Sequence, residues 1–203
     1  MNLTVKNYYS VRKDTFERFQ ESNTTTKILM AFIMAGITGI MAQIIIPLPW
    51  TPVPITGQTL AVLCSGLFLG KKYGCLSQIL YVILGIAFIP WFGGMTGGLE
   101  TVLGSTGGYF IGFIIASYFI GAIGEKYAKA RDFKHMIGIM GIANFAIIYI
   151  PGLLGLALWF YLTQGIVIDF VNLLLMGFVP FIFGDIVKII CASGLSKAFL
   201  PKE

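Results

Sequence analysis

Six apolar runs constrain the fold of this chain more than any other feature of its sequence. They cover, approximately, residues 27–46, 56–69, 75–90, 110–123, 136–162 and 181–199. A helix needs about 20 apolar residues to cross the ~30 Å hydrocarbon core of a bilayer. Because the runs are continuous and do not alternate with polar residues, they exclude a transmembrane β-barrel. The sequence therefore predicts an all-α integral membrane protein with six transmembrane helices.

Composition and charge are typical of the same class of protein. Of the 203 residues, 57% are hydrophobic and 11% are charged, whereas soluble domains have about 25% charged residues. The net charge of +5 comes from basic residues in short loops beside apolar runs, which is a signal of membrane topology. We therefore expect no nucleic-acid partner. With one histidine, His135, and three cysteines without metal-ligand spacing, we also expect no metal and no cofactor.

The distribution of lysine and arginine predicts the orientation of the helices. Of the fourteen basic residues, all but Lys188 lie near the two termini, in the turn 70–74 or in the stretch 125–135. The alternate connections contain none; these are 47–57, 91–104 and 163–180. Basic residues favour cytoplasmic loops. This pattern predicts that both termini are cytoplasmic and that the alternate connections face outward.

Lys188 and its neighbour Asp185 are the strongest candidates for a functional site. Each ionisable residue inside a membrane segment costs about 2.5–3.5 kcal/mol, so such residues usually mark function. Residues i and i+3 share one helix face, so both side chains can reach the same cavity. We interpret them as a ligand-binding pair, with a structural ion pair inside the bundle as the alternative.

The position of this pair along the sixth helix places the candidate site near the outer surface. If that helix begins at residue 181, Asp185 lies about 6 Å along it, at ~1.5 Å per residue. The loops 47–57 and 91–109 would then cover a pocket that opens to the outside. Just after the first loop, Gln58 either meets a ligand or caps its helix. In the second loop, the Gly107-Gly108 pair either covers a ligand or permits a close helix crossing.

Three further segments carry local predictions. Residues 1–26 form a cytoplasmic or interfacial segment before the membrane domain 27–203, either as a surface helix or as a loose tail, and they show no cleavable signal peptide. Pro151-Gly152 predicts a kink. The connector 164–178 is expected to hold a short amphipathic helix.

Small residues spaced by four in the first run predict a close helix contact in lipid. These are Ala31, Ala35 and Gly39. The contact can be with a helix of the same chain or with a partner helix, and the spacing alone leaves both open.

Three strings in the chain resemble the BioY family in order and in predicted topology. They are Pro52-Val-Pro-Ile-Thr-Gly-Gln-Thr-Leu60, Gly104-Ser-Thr-Gly-Gly-Tyr-Phe-Ile-Gly112 and Pro180-Phe-Ile-Phe-Gly-Asp-Ile-Val-Lys188. The resemblance covers about residues 27–200. Ser105 stands where the family usually has proline, and Gly57 stands where it has a bulkier apolar residue. Both differences affect loop stiffness more than the identity of a ligand.

The resemblance implies the biotin-specific substrate-capture subunit, or S component, of an energy-coupling-factor (ECF) transporter. Such a subunit has a six-helix fold, lies in the cell membrane and binds biotin from the extracellular side. It would not be an enzyme. Its partners would be the coupling subunit EcfT and the ATPase subunits EcfA and EcfA′, with a homo-oligomer possible when it is alone. By this resemblance, Ala31 and Ala35 would contact the coupling subunit, and Asp185 and Lys188 match the family's acid and lysine.

A biotin-like ligand would use the candidate residues in different ways. The ureido ring offers N–H donors for Asp185 and a carbonyl acceptor for Lys188. The bicyclic ring and its alkyl tail suit Trp91, Phe92 and Tyr109. The candidate donors for the carboxylate are Thr106, Gln58 and the backbone N–H groups of Gly107 and Gly108. Lys188 could bind the carboxylate instead, and the sequence leaves this open.

Other functions predict features that differ from these. An S component for another small vitamin would share the fold. An ion-coupled secondary carrier could use Asp185, although carriers often contain two related halves and no convincing internal repeat is present. An intramembrane enzyme would need a nucleophile and base, and Ser193 follows Lys188 on a different helix face. Because no phosphate-binding loop is present, energy for import must come from partners.

Overall fold

The computed structural model describes residues 3–87 and 89–201 and is mostly helical. The α-helices are α1 Leu3–Glu21, α2 Thr24–Ala42, α3 Gln58–Ala87, α4 Leu99–Val102, α5 Gly107–Lys126, α6 Phe133–Ile142, α7 Tyr149–Gln164, α8 Phe170–Gly177 and α9 Ile182–Phe199. A π-helix, Ala143–Ile148, joins α6 to α7, and two 3-10 turns cover Ala128–Arg131 and Val179–Phe181. Two short strands, β1 Ile45–Ile46 and β2 Ile55–Thr56, pair antiparallel across the proline-rich loop.

Helix α3 is a hairpin of two helical arms. Gly70 has φ 72° and ψ −176°, a conformation that favours glycine. In a continuous helix, Ser65 and Gly74 would be about 13 Å apart along the axis. Here they are in contact, since a Cβ on Gly74 would lie 2.7 Å from the carbonyl oxygen of Ser65. The chain therefore reverses at Gly70. The first arm, 58–69, is only about 18 Å long, and its outer end borders the cavity described below.

Helix α5 packs in the middle of the bundle through glycines on two of its faces. A Cβ on Gly108 would overlap the carbonyl of Pro151, and a Cβ on Gly112 would lie 2.6 Å from the Cα of Ile148. On the other side, Gly121 meets the backbone of the Gly70 turn. Small residues let helices approach closely where no hydrophobic effect drives them together. These contacts hold α5 between α3 and α7.

The exterior of the bundle is apolar, as a membrane protein requires. Five helical stretches among the described residues are long and apolar enough to cross a membrane. One of them is the hairpin α3, so the two arms counted separately give the six helical segments predicted from the sequence. Large apolar side chains such as Ile40, Leu154 and Phe183 are exposed on the outside. The prediction of an all-α membrane protein is confirmed.

The connections at one end of the bundle gather above the helices. They comprise the β1–β2 loop, the loop with α4, and the short helix α8, which is apolar on most sides rather than amphipathic as expected. Asp169 caps the start of α8 by accepting from the backbone N–H groups of Asn172 and Val171, which lowers the pKa of its carboxyl. Thr51 and Tyr109 donate to the carbonyls of Met176 and Gly177. These bonds tie α8 to the loops and to α5.

At the opposite end, α1 is attached to the end of the last helix. The buried guanidinium of Arg12 donates to the carbonyl of Lys197 at 3.1 Å and to that of Leu200. Arg131 lies over the ring of Phe16 at 4.5 Å and donates to Pro201. The last carbonyls of a helix lack intrahelical donors, so Arg12 supplies one to the last turn of α9 at Lys197, and both arginines bind the carbonyls that follow α9. Of the two alternatives for residues 1–26, the structure shows a helix, α1, that is attached to the end of the bundle.

Replacing Arg12 with alanine is expected to release α1 from the bundle. The change removes charge-assisted hydrogen bonds worth about 1.5–3 kcal/mol each and leaves two carbonyls without these donors. Amide hydrogen exchange in α1 should then accelerate at least tenfold. Lys13→Ala is the matched control because its ion pair with Glu17 is exposed and such pairs contribute about 0–1 kcal/mol. Equal exchange in both variants would show that Arg12 does not hold α1.

Candidate functional site

A cavity of about 310 Å³ lies between the outer connections and the interior of the bundle. This volume is at the lower end of the range for small-molecule sites. The roof comes from the β1–β2 loop and from the segments around α4, and the floor comes from α3, α5, the π-helix, α7 and α9. The lining residues are Pro52, Val53, Pro54, Thr56, Gln58, Thr59, Gly93, Thr96, Thr101, Gly104, Ser105, Thr106, Tyr109, Phe110, Phe113, Ile148, Tyr149, Phe181, Asp185 and Lys188.

Asp185 lies at the floor of the cavity and accepts four hydrogen bonds. Its Oδ1 accepts from Lys188 Nζ at 2.8 Å and from the Thr59 hydroxyl at 3.3 Å. Its Oδ2 accepts from Asn144 Nδ2 at 2.8 Å and from the Tyr149 hydroxyl at 2.5 Å. A carboxylate offers about four acceptor sites. The buried charge of Asp185 is therefore fully compensated by groups from α3, the π-helix, α7 and α9.

Lys188 is the member of the pair that reaches furthest into the cavity. Its side chain is 16% exposed, against 2% for Asp185. Besides the bond to Asp185, its Nζ donates to the Thr59 hydroxyl at 2.9 Å. An ammonium group has three N–H donors, so one remains for a ligand. A neutral polar group with a free acceptor is the natural partner for this donor.

The cavity carries no net charge on the residues that line it. Among the described residues, Asp185 and Lys188 are its only ionised groups, and they neutralise each other. Five residues with hydroxyl groups line the cavity: Thr56, Thr96, Thr101, Ser105 and Thr106. The first four donate their hydroxyl protons to other groups of the protein. The outward connections 47–57, 91–104 and 163–180 contain no lysine or arginine. An anion that enters from this side therefore meets no lysine or arginine in the connections.

The aromatic wall of the cavity differs from the one predicted. Trp91 and Phe92 do not line it; they pack against Tyr81 behind the wall. Trp91 donates from Nε1 to the Tyr81 carbonyl, and Phe92 is fully buried against Phe110. The reason is the turn that follows Pro90, which directs both rings toward α3. The rings that line the cavity are Phe110, Phe113, Tyr149 and Phe181, together with Tyr109.

The remaining predicted ligand contacts divide between the cavity and the packing of the helices. Gln58 lines the cavity, accepts from Thr56 and donates to the Tyr81 hydroxyl. Thr106 lines the mouth and makes no capping bond from its side chain at the start of α5.

Gly107 and Gly108 do not line the cavity. A Cβ on either would overlap a backbone carbonyl, that of Val102 or that of Pro151. The sequence left open whether these glycines cover a ligand or permit close packing. The structure shows close packing of the backbone at both glycines.

The small residues of α2 face the inside of this chain. Ala31 and Ala35 are completely buried, and a Cβ on Gly39 would touch the Trp91 ring at 3.0 Å. Helix α2 packs on α3. Because this face is occupied within the chain, it is not available to a partner helix in this conformation. The sequence left open whether this face contacts a helix of the same chain or a partner helix. The structure shows the contact within the same chain.

Comparison with known proteins places the chain among membrane transport proteins. The sequence model of the BioY family matches residues 13–202. The chain belongs to the BioY family. The probable biotin transporter BioY of Methanothermobacter thermautotrophicus is 51% identical over 139 residues, which cover 68% of this chain and 88% of that protein. The biotin transporter BioY of Thermotoga maritima is 36% identical over 167 residues, covering 82% and 91%.

A solved structure has the same fold as this BioY family member. It is the crystal structure of the S-component for biotin from an ECF-type ABC transporter. The TM-score is 0.74 at 23% identity, and the match covers 85% of this chain and 89% of that one. The S-component-like fold expected from the sequence is thereby confirmed. The recognition of the family from three short strings is confirmed as well.

Three residues that contact the Asp185–Lys188 pair were not predicted. Thr59 lies within the first of the family-like strings and could have been chosen there. Asn144 interrupts the apolar stretch 136–148, and a buried amide inside a membrane helix is a signal of function. Tyr149 gives no comparable signal because its hydroxyl is one of many at helix ends. A search for polar residues in the fifth run would have found Asn144.

Proposed function

We propose that this protein captures biotin from the extracellular side, as the substrate-specific subunit of an ECF-type importer. The observation that supports this most strongly is the 51% identity to a probable biotin transporter of which the chain covers 88%. The cavity supports the same proposal, since it has the size and the neutral polar floor that a small uncharged ring system requires.

In the proposed complex, the ureido head of biotin lies on the floor of the cavity. The free N–H of Lys188 donates to the ureido carbonyl. A ring N–H donates to Asp185 Oδ1 in place of the Thr59 hydroxyl, whose 3.3 Å bond is the longest of the four to this carboxylate. The bicyclic ring then lies among Phe110, Phe113 and Phe181.

The carboxylate of the ligand lies at the mouth in this proposal. Thr106 supplies a hydroxyl there, and the Ser105 hydroxyl can turn to the ligand by giving up its long, 3.4 Å bond to the Pro52 carbonyl. Lys188 stays with the head group. Since no cation meets the carboxylate, its charge contributes little to affinity. Charge-assisted hydrogen bonds instead strengthen the contacts at the floor.

The proposed partners are a coupling subunit of the EcfT kind and the ATPase subunits EcfA and EcfA′. The S-component fold supports this assembly. With the small-residue face of α2 packed internally, a coupling subunit would contact other surfaces, or α2 would move. We further propose that residues 1–26 lie at the cytoplasmic surface and that 27–203 form the membrane domain. Biotin is the ligand, and no cofactor is required.

The test is equilibrium binding to detergent-purified protein. We expect tight binding of biotin, and binding of biotin carboxamide within about tenfold of it, because the amide keeps the head and removes only the charge. A loss of more than 100-fold with the amide, about 2.7 kcal/mol, would place the carboxylate at Lys188.

A panel of other vitamins provides the control for specificity. Tight binding of another vitamin without biotin would retain the S-component fold and overturn the proposed ligand. Binding that requires sodium ions, or that is coupled to the uptake of a proton, would instead indicate an ion-coupled carrier.

A further inference from the structure

The π-helix at Ala143–Ile148 brings two donors to one oxygen of Asp185. Asn144 and Tyr149 are five residues apart, which would separate them by about 140° around an α-helix of 3.6 residues per turn. A π-helix closes i to i+5 hydrogen bonds and so has a wider turn. Here both side chains reach Oδ2 of Asp185, at 2.8 Å and 2.5 Å. A regular helix would direct one of them away.

The sequence around this segment explains why the helix widens there. Pro151 lacks an N–H group, so the carbonyl of Ile147 has no α-helical donor at that position. The kink expected at Pro151-Gly152 therefore takes the form of a π-helix immediately before it. Such insertions are frequent at functional sites.

The arrangement is unfavourable for stability in one respect. The Oδ1 atom of Asn144 is buried and has no hydrogen-bond partner among the described residues. A buried acceptor without a partner costs free energy. Because the amide nitrogen must face Asp185, the amide oxygen is left in apolar surroundings. Local costs of this kind persist where a side chain must be held in a defined orientation.

We propose that Asn144 and Tyr149 are positioning residues for ligand capture, which rests on the proposed function. They hold the Asp185 carboxylate in one rotamer, with Oδ1 turned to Lys188 and the cavity. Lys188 then has a fixed counter-ion and offers its free N–H in one direction. If either donor is missing, the carboxylate can rotate in the ligand-free protein. Binding must then fix its orientation, and the free energy that this costs lowers the affinity for the ligand.

Tyr149→Phe and Asn144→Leu test this proposal, with Tyr161→Phe as the matched control because Tyr161 is exposed on the same helix. Biotin dissociation constants and ligand-free melting temperatures are measured for each variant. We expect the dissociation constant to rise at least tenfold in each test variant. Because each change removes a hydrogen bond to a buried carboxylate, the melting temperature should also fall by several degrees, and the control should match the parent protein in both measurements.

Making the same changes in Asp185→Asn protein distinguishes two explanations for weaker binding. Either Asn144 and Tyr149 act through the Asp185 carboxylate, or their loss disturbs the packing of the bundle. If Asn144 and Tyr149 act through Asp185, neither change should weaken binding further once the carboxylate is gone. Full additivity in that background would overturn the proposal, as would lower melting temperatures with unchanged affinity. A parent protein that ignores biotin would overturn the proposed function as well, whereas tight parental binding with unaffected variants would overturn this inference alone.

Discussion

Asp185→Asn is expected to weaken biotin binding at least 100-fold, about 2.7 kcal/mol. The carboxylate accepts four hydrogen bonds and holds Lys188 at 2.8 Å. Asparagine lacks the charge and replaces one acceptor with a donor that would face the donor groups of Asn144 and Tyr149. Removing one partner of a buried ion pair leaves the other charge uncompensated, which costs about 3–5 kcal/mol. Titration calorimetry of the purified variant measures the loss.

A second variant separates the loss of the site from the loss of the fold. Asp185→Asn with Lys188→Met removes both charges, and replacing a buried ion pair by neutral groups is often neutral for stability. We expect this double variant to melt near the parent temperature and still to bind no biotin. Parental affinity in either variant would show that the charged pair is structural.

Gly108→Ala is expected to destabilise the bundle strongly. The added Cβ would overlap the carbonyl oxygen of Pro151 and approach the Cα of Gly152 to 3.1 Å. Both are backbone atoms, so α5 and α7 must separate. Overpacking costs about 3 kcal/mol at the upper end of its usual range. This corresponds to a fall of roughly 6–12 °C in melting temperature for a chain of this length. Thermal unfolding in detergent measures it.

The control for this prediction lies on the same helix. Gly124 has no atom within 4 Å of the position that a Cβ would occupy. Gly124→Ala should therefore leave the melting temperature unchanged or raise it, since alanine favours helix. If the two variants melt alike, close packing of α5 on α7 does not limit stability. Biotin binding should also fall in Gly108→Ala, because the neighbouring Tyr109 and Phe110 line the cavity.

Much of the fold follows from the sequence because lipid allows few solutions. Each apolar run must satisfy its own backbone groups, so each becomes a helix. The basic residues then predict which connections lie together, and the structure places the β1–β2 loop and the α4 segment above Asp185 as expected. The reversal at Gly70 could also be predicted, since the turn 70–74 is short, basic and bounded by glycines.

The parts that were missed depend on the path of the backbone between the helices. Trp91 follows a proline, and nothing in its neighbours indicates that the next turn directs its ring toward Tyr81 instead of the cavity. The partners of Asp185 depend on the π-helix, which changes the side chain that faces inward at Tyr149. Periodicity of 3.6 residues, applied to the fifth run, would place Asn144 and Tyr149 on different faces.

The absence of lysine and arginine from the outward connections has a kinetic consequence. Biotin is an anion at neutral pH, and the acidic groups in these connections, Glu100 and Asp169, repel it weakly. Electrostatic attraction usually accelerates association in dilute buffer and fades as ions are added. Here the rate of encounter should stay constant or rise slightly as ionic strength increases. Capture of the vitamin would therefore not slow down in a saline medium.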